Sequence, residues 1–173
     1  MGLFKKFSSF TFFMLSLYTF HVLGAEPSYL GISTYVTQVP TSGKGSPIKF
    51  EEVSLVKNVL VSDDKTGFVV QDAGVYQIVL VANAGATISG ATGYVDCWFQ
   101  KNGKWIPGTN TRITVDSPTS ISIITVNFME KLEKNDSVSI IFSASGPGLG
   151  LIAVKPIAEP YISAAALSII RID

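Results

Sequence analysis

An apolar run extends over Val75–Ala82 and follows a turn signal at Asp72-Ala73-Gly74. Its even-numbered positions are apolar, and so are three of its four odd-numbered positions, with Gln77 the exception. A short, β-branched run that is apolar on both faces predicts a strand buried on both sides, in the middle of a β-sandwich.

Shorter segments on either side of this run alternate between apolar and polar residues and predict further strands. These are Tyr29–Val39, Ile48–Phe50, Val53–Val61, Tyr94–Lys101, Lys104–Ile106, Ser120–Met129, Ser137–Ser143 and Tyr161–Ile172. Turn signals separate them, above all Asn102-Gly103, because both residues tolerate the positive φ of a hairpin turn. About ten short strands predict an all-β fold, a ten-strand jelly-roll β-sandwich that occupies residues 25–173 as a single domain.

The N-terminal segment differs from the rest, with two basic residues, Lys5 and Lys6, ahead of the apolar stretch Phe7–Leu23. Small residues follow at Gly24 and Ala25. This pattern predicts a secretory signal peptide over residues 1–24, cleaved after Gly24 or Ala25. The alternative is an uncleaved anchor, since the apolar stretch is close to the minimum of ~17 residues for spanning a bilayer. Either interpretation places the domain outside the cytosol, secreted or at the cell surface.

Several short motifs along the predicted strands resemble one family. The pattern Phe68-x₅-Gly74-x-Tyr76, followed by Ile78 and Leu80, resembles the signature of the complement-one-q globular domain, part of the tumour-necrosis-factor-like jelly-roll superfamily. The family's hairpin is resembled by Phe99-x₂-Asn102-Gly103, and its last turn by Leu132-x₂-Asn135-Asp136-x-Val138. The segment Ala166–Ile170 resembles the final strand of bacterial members, such as the C-terminal head of spore-surface collagen-like glycoproteins. The resemblance implies a homotrimer of sandwiches packed around an axis. The surplus of apolar residues on the predicted strands is also typical of an interface, the alternative being that both faces lie inside the monomer.

Composition and charge argue against several classes of function. The chain has 13 basic and 13 acidic residues, and loss of Lys5 and Lys6 with the signal leaves it mildly acidic, which argues against nucleic-acid binding. The one histidine, His21, lies inside the predicted signal, so a cleaved chain has no histidine for acid–base catalysis or metal binding. The one cysteine, Cys97, alternates with apolar neighbours and is expected to be buried, the alternative being a reactive thiol or an interchain bridge. We therefore expect no catalytic residues, no enzyme activity and no cofactor.

Three groups of residues are candidates for binding. Asp63, Asp64 and Asp72 could offer oxygen ligands to calcium, although their spacing is irregular and a plain polar turn is the alternative. Aromatic residues on or beside the hairpin could form a contact surface for sugar or protein, or could pack within the sheet or trimer: Tyr94, Trp98 and Trp105. The predicted loop Gly146–Pro160 is the other candidate contact surface, through Leu149, Leu151 and Ile152, or a loop folded against its own barrel end.

These observations favour a secreted, non-enzymatic, trimeric recognition or adhesion head that binds an extracellular protein or glycan and does not insert into the membrane after signal cleavage. One alternative is a structural surface-coat protein whose role is assembly itself. A weaker alternative is a carbohydrate-binding sandwich. A carbohydrate-active version would need paired carboxylates across a cleft. Adjacent Glu51 and Glu52 point to opposite faces of a strand and do not supply them.

Overall fold

The computed structural model describes residues 26–41, 44–117 and 119–173, and these residues form an antiparallel β-sandwich. The predicted signal peptide and its cleavage site at Gly24 or Ala25 lie outside the described residues. Within the described part, thirteen strands follow one another: β1 Tyr29–Thr34, β2 Ser46–Pro47, β3 Glu52–Lys57, β4 Val59–Val61, β5 Gly67–Val70, β6 Gly74–Ala86, β7 Gly93–Lys101, β8 Lys104–Trp105, β9 Thr111–Val115, β10 Ser122–Leu132, β11 Ser137–Ala144, β12 Leu149–Leu151 and β13 Ala165–Arg171. The described residues contain no helix long and apolar enough to cross a membrane.

The strands divide into two sheets. The first has the order β10-β6-β13-β1-β3, with β12 also paired to β6. The second has the order β4-β5-β11-β7-β8, with β2 paired to β11 and β9 paired to β7. The predicted all-β sandwich is confirmed, but the count of ten strands was too low. Segments outside the predicted strands supply β2, β5, β9 and β12, and one predicted strand is divided at Asn58, whose φ is 53°.

Strand β6 lies inside the first sheet, between β10 and β13, and only one of its faces is buried within the chain. Its inward side chains, such as Tyr76 and Leu80, are 0% exposed, whereas Val81 on the other face is 39% exposed. The prediction of burial on both sides is therefore wrong for a single chain. A two-layer sandwich covers one face of each sheet, and nothing in the described residues covers the middle of the outer face of this one.

The core lies between the two sheets and is built on large side chains from both. Phe50, Phe68 and Phe142 are buried there, and Phe99 meets Phe128 edge to face with ring centroids 4.8 Å apart. Burial of one such side chain stabilises the fold by ~1.5–3 kcal/mol. Cys97 is also fully buried, as predicted, and loss of hydration raises the pKa of its thiol to about 12.

Candidate functional site

The outer face of the second sheet carries an open groove of about 430 Å³ that we call the aromatic groove. Its lining residues come from four places in the sequence: Asp96, Trp98, Trp105, Asn110 and Ser143. Asp96 and Trp98 stand on β7, and Ser143 is paired with Asp96 across β11. The two tryptophans predicted as contact residues thus lie in one groove together with polar side chains.

A tight hairpin positions the more exposed tryptophan. The turn Asn102-Gly103 has φ angles of 51° and 75°, as the sequence predicted for this pair, and it returns the chain so that Trp105 lies opposite Gln100. Paired residues share a face of the sheet, so Trp105 lies on the same side as Trp98. Its side chain is 66% exposed. The hairpin therefore presents a broad apolar surface to solvent at the edge of the groove.

Trp98 is held more firmly, because its ring rests against the backbone of the loop before β2. A Cβ atom placed on Gly45 would lie 2.8 Å from two atoms of the Trp98 ring, and 2.7 Å from the side chain of Ile141. Only glycine at this position lets the loop approach so closely. Trp98 is therefore a half-buried, fixed wall of the groove, whereas Trp105 is free on one side.

An ion pair lies beside Trp98. The Arg112 guanidinium donates to both Asp96 carboxylate oxygens, from Nε to Oδ1 at 2.8 Å and from Nη2 to Oδ2 at 2.9 Å. The same guanidinium lies 3.6 Å from the centre of the Tyr94 ring, a cation–π contact. The hydrogen bond to Asp96 raises the pKa of Arg112, so the guanidinium stays charged. The charge of the Asp96 carboxylate is therefore balanced where it faces the groove.

A second depression adjoins the aromatic groove and shares three of its lining residues. It also measures about 430 Å³, and Asp96, Trp98 and Ser143 border both. Tyr94 lines its far side, and Lys44 brings a positive charge to its rim. All three aromatic residues of the predicted surface therefore border one continuous tract on this sheet.

The prediction of a contact surface in the segment Gly146–Pro160 is wrong for two of its three residues. Leu149 and Leu151 are 0% exposed, because the segment expected to be a loop forms β12 and pairs with the end of β6. Ile152 is half-buried. The alternative, a segment folded against its own barrel end, describes this part of the chain better.

The three aspartates considered for calcium are not brought together. Among the described residues, no group of three or more acidic, histidine or cysteine side chains could hold a metal ion. Asp64 instead accepts hydrogen bonds from the backbone N–H and the hydroxyl of Thr66, at 3.1 and 2.8 Å. Hydrogen bonds from Ser62 and Thr66 lower the pKa of the Asp64 carboxyl. Its role is to close the turn between β4 and β5.

The residues that carry the family resemblance lie in the core and at turns. Phe68, Tyr76, Ile78 and Leu80 are buried between the sheets, and the Tyr76 hydroxyl donates to the backbone oxygen of Asp72 at 2.8 Å. Gly74 is also buried, beneath the side chains of two C-terminal residues: Arg171 and Asp173. These positions therefore maintain the fold and offer no binding surface.

A second feature of interest is the outer face of the first sheet, which we call the apolar sheet face. Cross-strand registers place small residues at its centre and larger apolar residues around them. Its members are Gly31, Ser33, Tyr35, Leu55, Val79, Val81, Ile123, Ala166, Ser168 and Ile170. Leu55 and Ile123 are each 62% exposed. A shallow groove of about 440 Å³ runs along the centre of this face.

Sequence reasoning missed the polar residues of the aromatic groove. Asp96 could have been found, because it lies between Tyr94 and Trp98 on the outward positions of one strand. Ser143 and Arg112 lie on other strands, and only the sheet register brings them to this place. Asn110 lies just before β9 and outside any strand.

Comparison with known proteins supports the fold. No family model and no curated protein sequence matches the chain. Among solved structures, the globular domain of zebrafish complement 1qA protein superposes with a TM-score of 0.55 and 14% identity, over 86% of this chain and 98% of that one. The chain therefore has the complement-one-q and tumour-necrosis-factor-like jelly-roll fold, as the sequence resemblance implied. A likeness at this identity defines the fold alone.

Proposed function

We propose that the chain is a secreted, non-enzymatic recognition head that works as a homotrimer, with the apolar sheet faces of three copies packed around a common axis. The observation that carries this proposal is the exposed apolar surface in the middle of the first sheet. The threefold arrangement follows the sequence resemblance and the jelly-roll fold shared with a complement globular domain. The extracellular location follows the predicted signal peptide.

The composition of the apolar sheet face supports self-association. Val79 and Val81 on β6, Ala166 on β13 and Leu55 on β3 form a surface without a charged side chain at its centre. A soluble monomer rarely exposes a continuous apolar patch of this kind. Obligate interfaces between identical chains bury more than ~2,000 Å² and resemble a domain core cut in half. Packing of this face against other copies would also bury the outer side chains of β6, whose sequence predicts burial on both sides.

The oligomeric state of the chain, beginning at Ala25, tests the proposal. Light scattering coupled to size exclusion is expected to give three times the mass of one chain at micromolar concentration. The variant Val81→Lys places a charge at the centre of the face, where an unpaired buried ion costs several kcal/mol. We therefore expect this variant to run as a monomer that retains its β-sheet circular dichroism.

A matched control is Leu60→Lys, which adds the same charge at an exposed position on the second sheet, where Leu60 is 53% exposed. We expect this variant to remain trimeric. A monomeric wild-type chain at micromolar concentration contradicts the proposed assembly. Mass spectrometry of the protein secreted by its host tests the location, with a mature N-terminus at Ala25 or Glu26 as the expected result.

A further inference from the structure

We infer that the aromatic groove is a binding site for an uncharged sugar, with the ring stacked on Trp105 and Trp98 and its hydroxyls held by the polar residues between them. This inference names the ligand class of the proposed recognition head and therefore rests on that function, although it does not require the trimer. The apolar sheet face and the aromatic groove lie on different sheets, so assembly through the first leaves the second open.

The first argument is the combination of side chains. A sugar ring has an apolar face of C–H groups and an edge of hydroxyls, so it needs an aromatic surface beside hydrogen-bond donors and acceptors. The groove provides both, with two indole rings and the side chains of Asp96, Asn110 and Ser143. The electron-rich face of an indole attracts weakly positive C–H groups. Binding sites commonly combine apolar walls with a few polar groups that fix orientation.

The second argument is the ion pair. Asp96 is only 7% exposed, and Arg112 donates hydrogen bonds to both of its carboxylate oxygens, so the carboxylate is fixed in place. The Arg112 side chain is 56% exposed, and a solvent-exposed partner of this kind adds little to stability through its ion pair. Each Asp96 oxygen retains a further lone pair. An oriented carboxylate of this kind can accept hydrogen bonds from two neighbouring hydroxyls of a sugar.

The third argument is charge. Among the residues that the structure describes, Asp96 is the one charged residue that lines the aromatic groove, and its charge is balanced by the adjoining Arg112. Such a groove gives no electrostatic preference to an anionic or cationic ligand. A neutral sugar avoids the larger cost of desolvating an ion, and hydrogen bonds to the polar side chains of the groove can offset the desolvation of its hydroxyls. The volume of about 430 Å³ falls in the usual range for small-ligand sites and can hold one or two sugar rings. A proline-rich peptide would also stack on tryptophan, and the test below separates the two.

The chain has only two tryptophans, and both line the groove, so intrinsic fluorescence reports on this site. The full chain without its signal is applied to an array of neutral, sialylated and sulfated glycans, and the best neutral glycan is then titrated in solution. We expect saturable binding with a shift or quench of tryptophan emission. Trp105→Ala should weaken binding at least tenfold, because Trp105 contributes exposed surface to the groove and little to the core. Asp96→Asn should weaken it by a similar factor, as a separate check on the polar side of the site.

Lys104→Ala is the control, since Lys104 is exposed on the same hairpin but does not line the aromatic groove. It should bind like the wild type. Absence of any neutral-glycan binding on the array overturns the inference, as does a Trp105→Ala variant that binds like Lys104→Ala. Preference for a proline-rich peptide, or for charged glycans, overturns it as well. Light scattering of the same samples tells the two proposals apart, because a monomer that binds a neutral glycan contradicts only the trimer.

Discussion

Replacement of Asn102 tests the contact between two turns that supports the aromatic groove. The Asn102 side-chain amide donates to Asp136 Oδ1 at 2.7 Å, and its oxygen accepts from the backbone N–H of Ser137 at 2.9 Å. Asp136 in turn accepts from the backbone N–H of Glu133 at 2.8 Å through its other oxygen. The hairpin that carries Trp105 is thereby fastened to the turn between β10 and β11.

Two variants separate the two roles of this asparagine. Asn102→Gly keeps the positive φ but removes the hydrogen bonds of the side chain, including a weaker one that the Ser137 hydroxyl donates to Asn102 Oδ1 at 3.3 Å. These bonds lie near the surface, so we expect a loss of about 1–2 kcal/mol in the free energy of unfolding. Asn102→Ala removes the same bonds and also places a Cβ-bearing residue at a φ of 51°. The left-handed conformation costs an ordinary residue ~1–2 kcal/mol, so Asn102→Ala should be less stable than Asn102→Gly by about 1 kcal/mol.

Urea denaturation followed by circular dichroism measures both values, with Lys104→Ala as the control on the same hairpin. All samples are compared at one chain concentration, because stability of an oligomer depends on it. Equal stabilities for the glycine and alanine variants would refute the argument from backbone conformation. Wild-type stability of Asn102→Gly would refute the argument from hydrogen bonds.

Three further predictions concern packing, acid stability and thiol reactivity. Gly67→Ala should destabilise the fold by at least ~2 kcal/mol in thermal melting, because its Cβ would lie 1.9 Å from a backbone oxygen of β11. The hydrogen bond from Asn102 lowers the pKa of the Asp136 carboxyl. The stability contributed by this carboxylate is therefore present above pH ~4 and is lost as the pH falls through the lowered pKa. Urea midpoints measured from pH ~6 to pH ~2 should fall less steeply in Asn102→Gly than in the wild type. Cys97, with a pKa of about 12 and full burial, should react with a thiol reagent at pH 8 only after unfolding.

Each of these predictions has a control in the same chain. Gly146→Ala adds a Cβ that meets nothing within 4 Å and should leave the melting temperature within 1–2 °C, roughly the effect of a neutral surface change. An identical acid transition in the wild type and in Asn102→Gly would show that Asp136 does not contribute as described. Rapid labelling of native Cys97 would contradict its burial.

The order of polar and apolar residues was sufficient to determine the class of the fold. Strict alternation places every second side chain of a strand on the same face, so the inward positions of β7 and β11 could be assigned from the sequence. The Asn102-Gly103 turn was equally well defined, because few other residue pairs accept positive φ at both positions. Both features depend only on residues that are neighbours in the sequence, and the structure agrees with both predictions.

Other features depended on contacts between distant segments. The pattern of β6 indicated two buried faces, but which neighbour covers each face is a tertiary property, and one chain covers only the inner face. Leu149 and Leu151 gave no sign of burial, since β12 forms only by pairing with β6. The aromatic groove depends on the same kind of information, because residues from four separate segments meet there through strand register, which the local sequence does not encode.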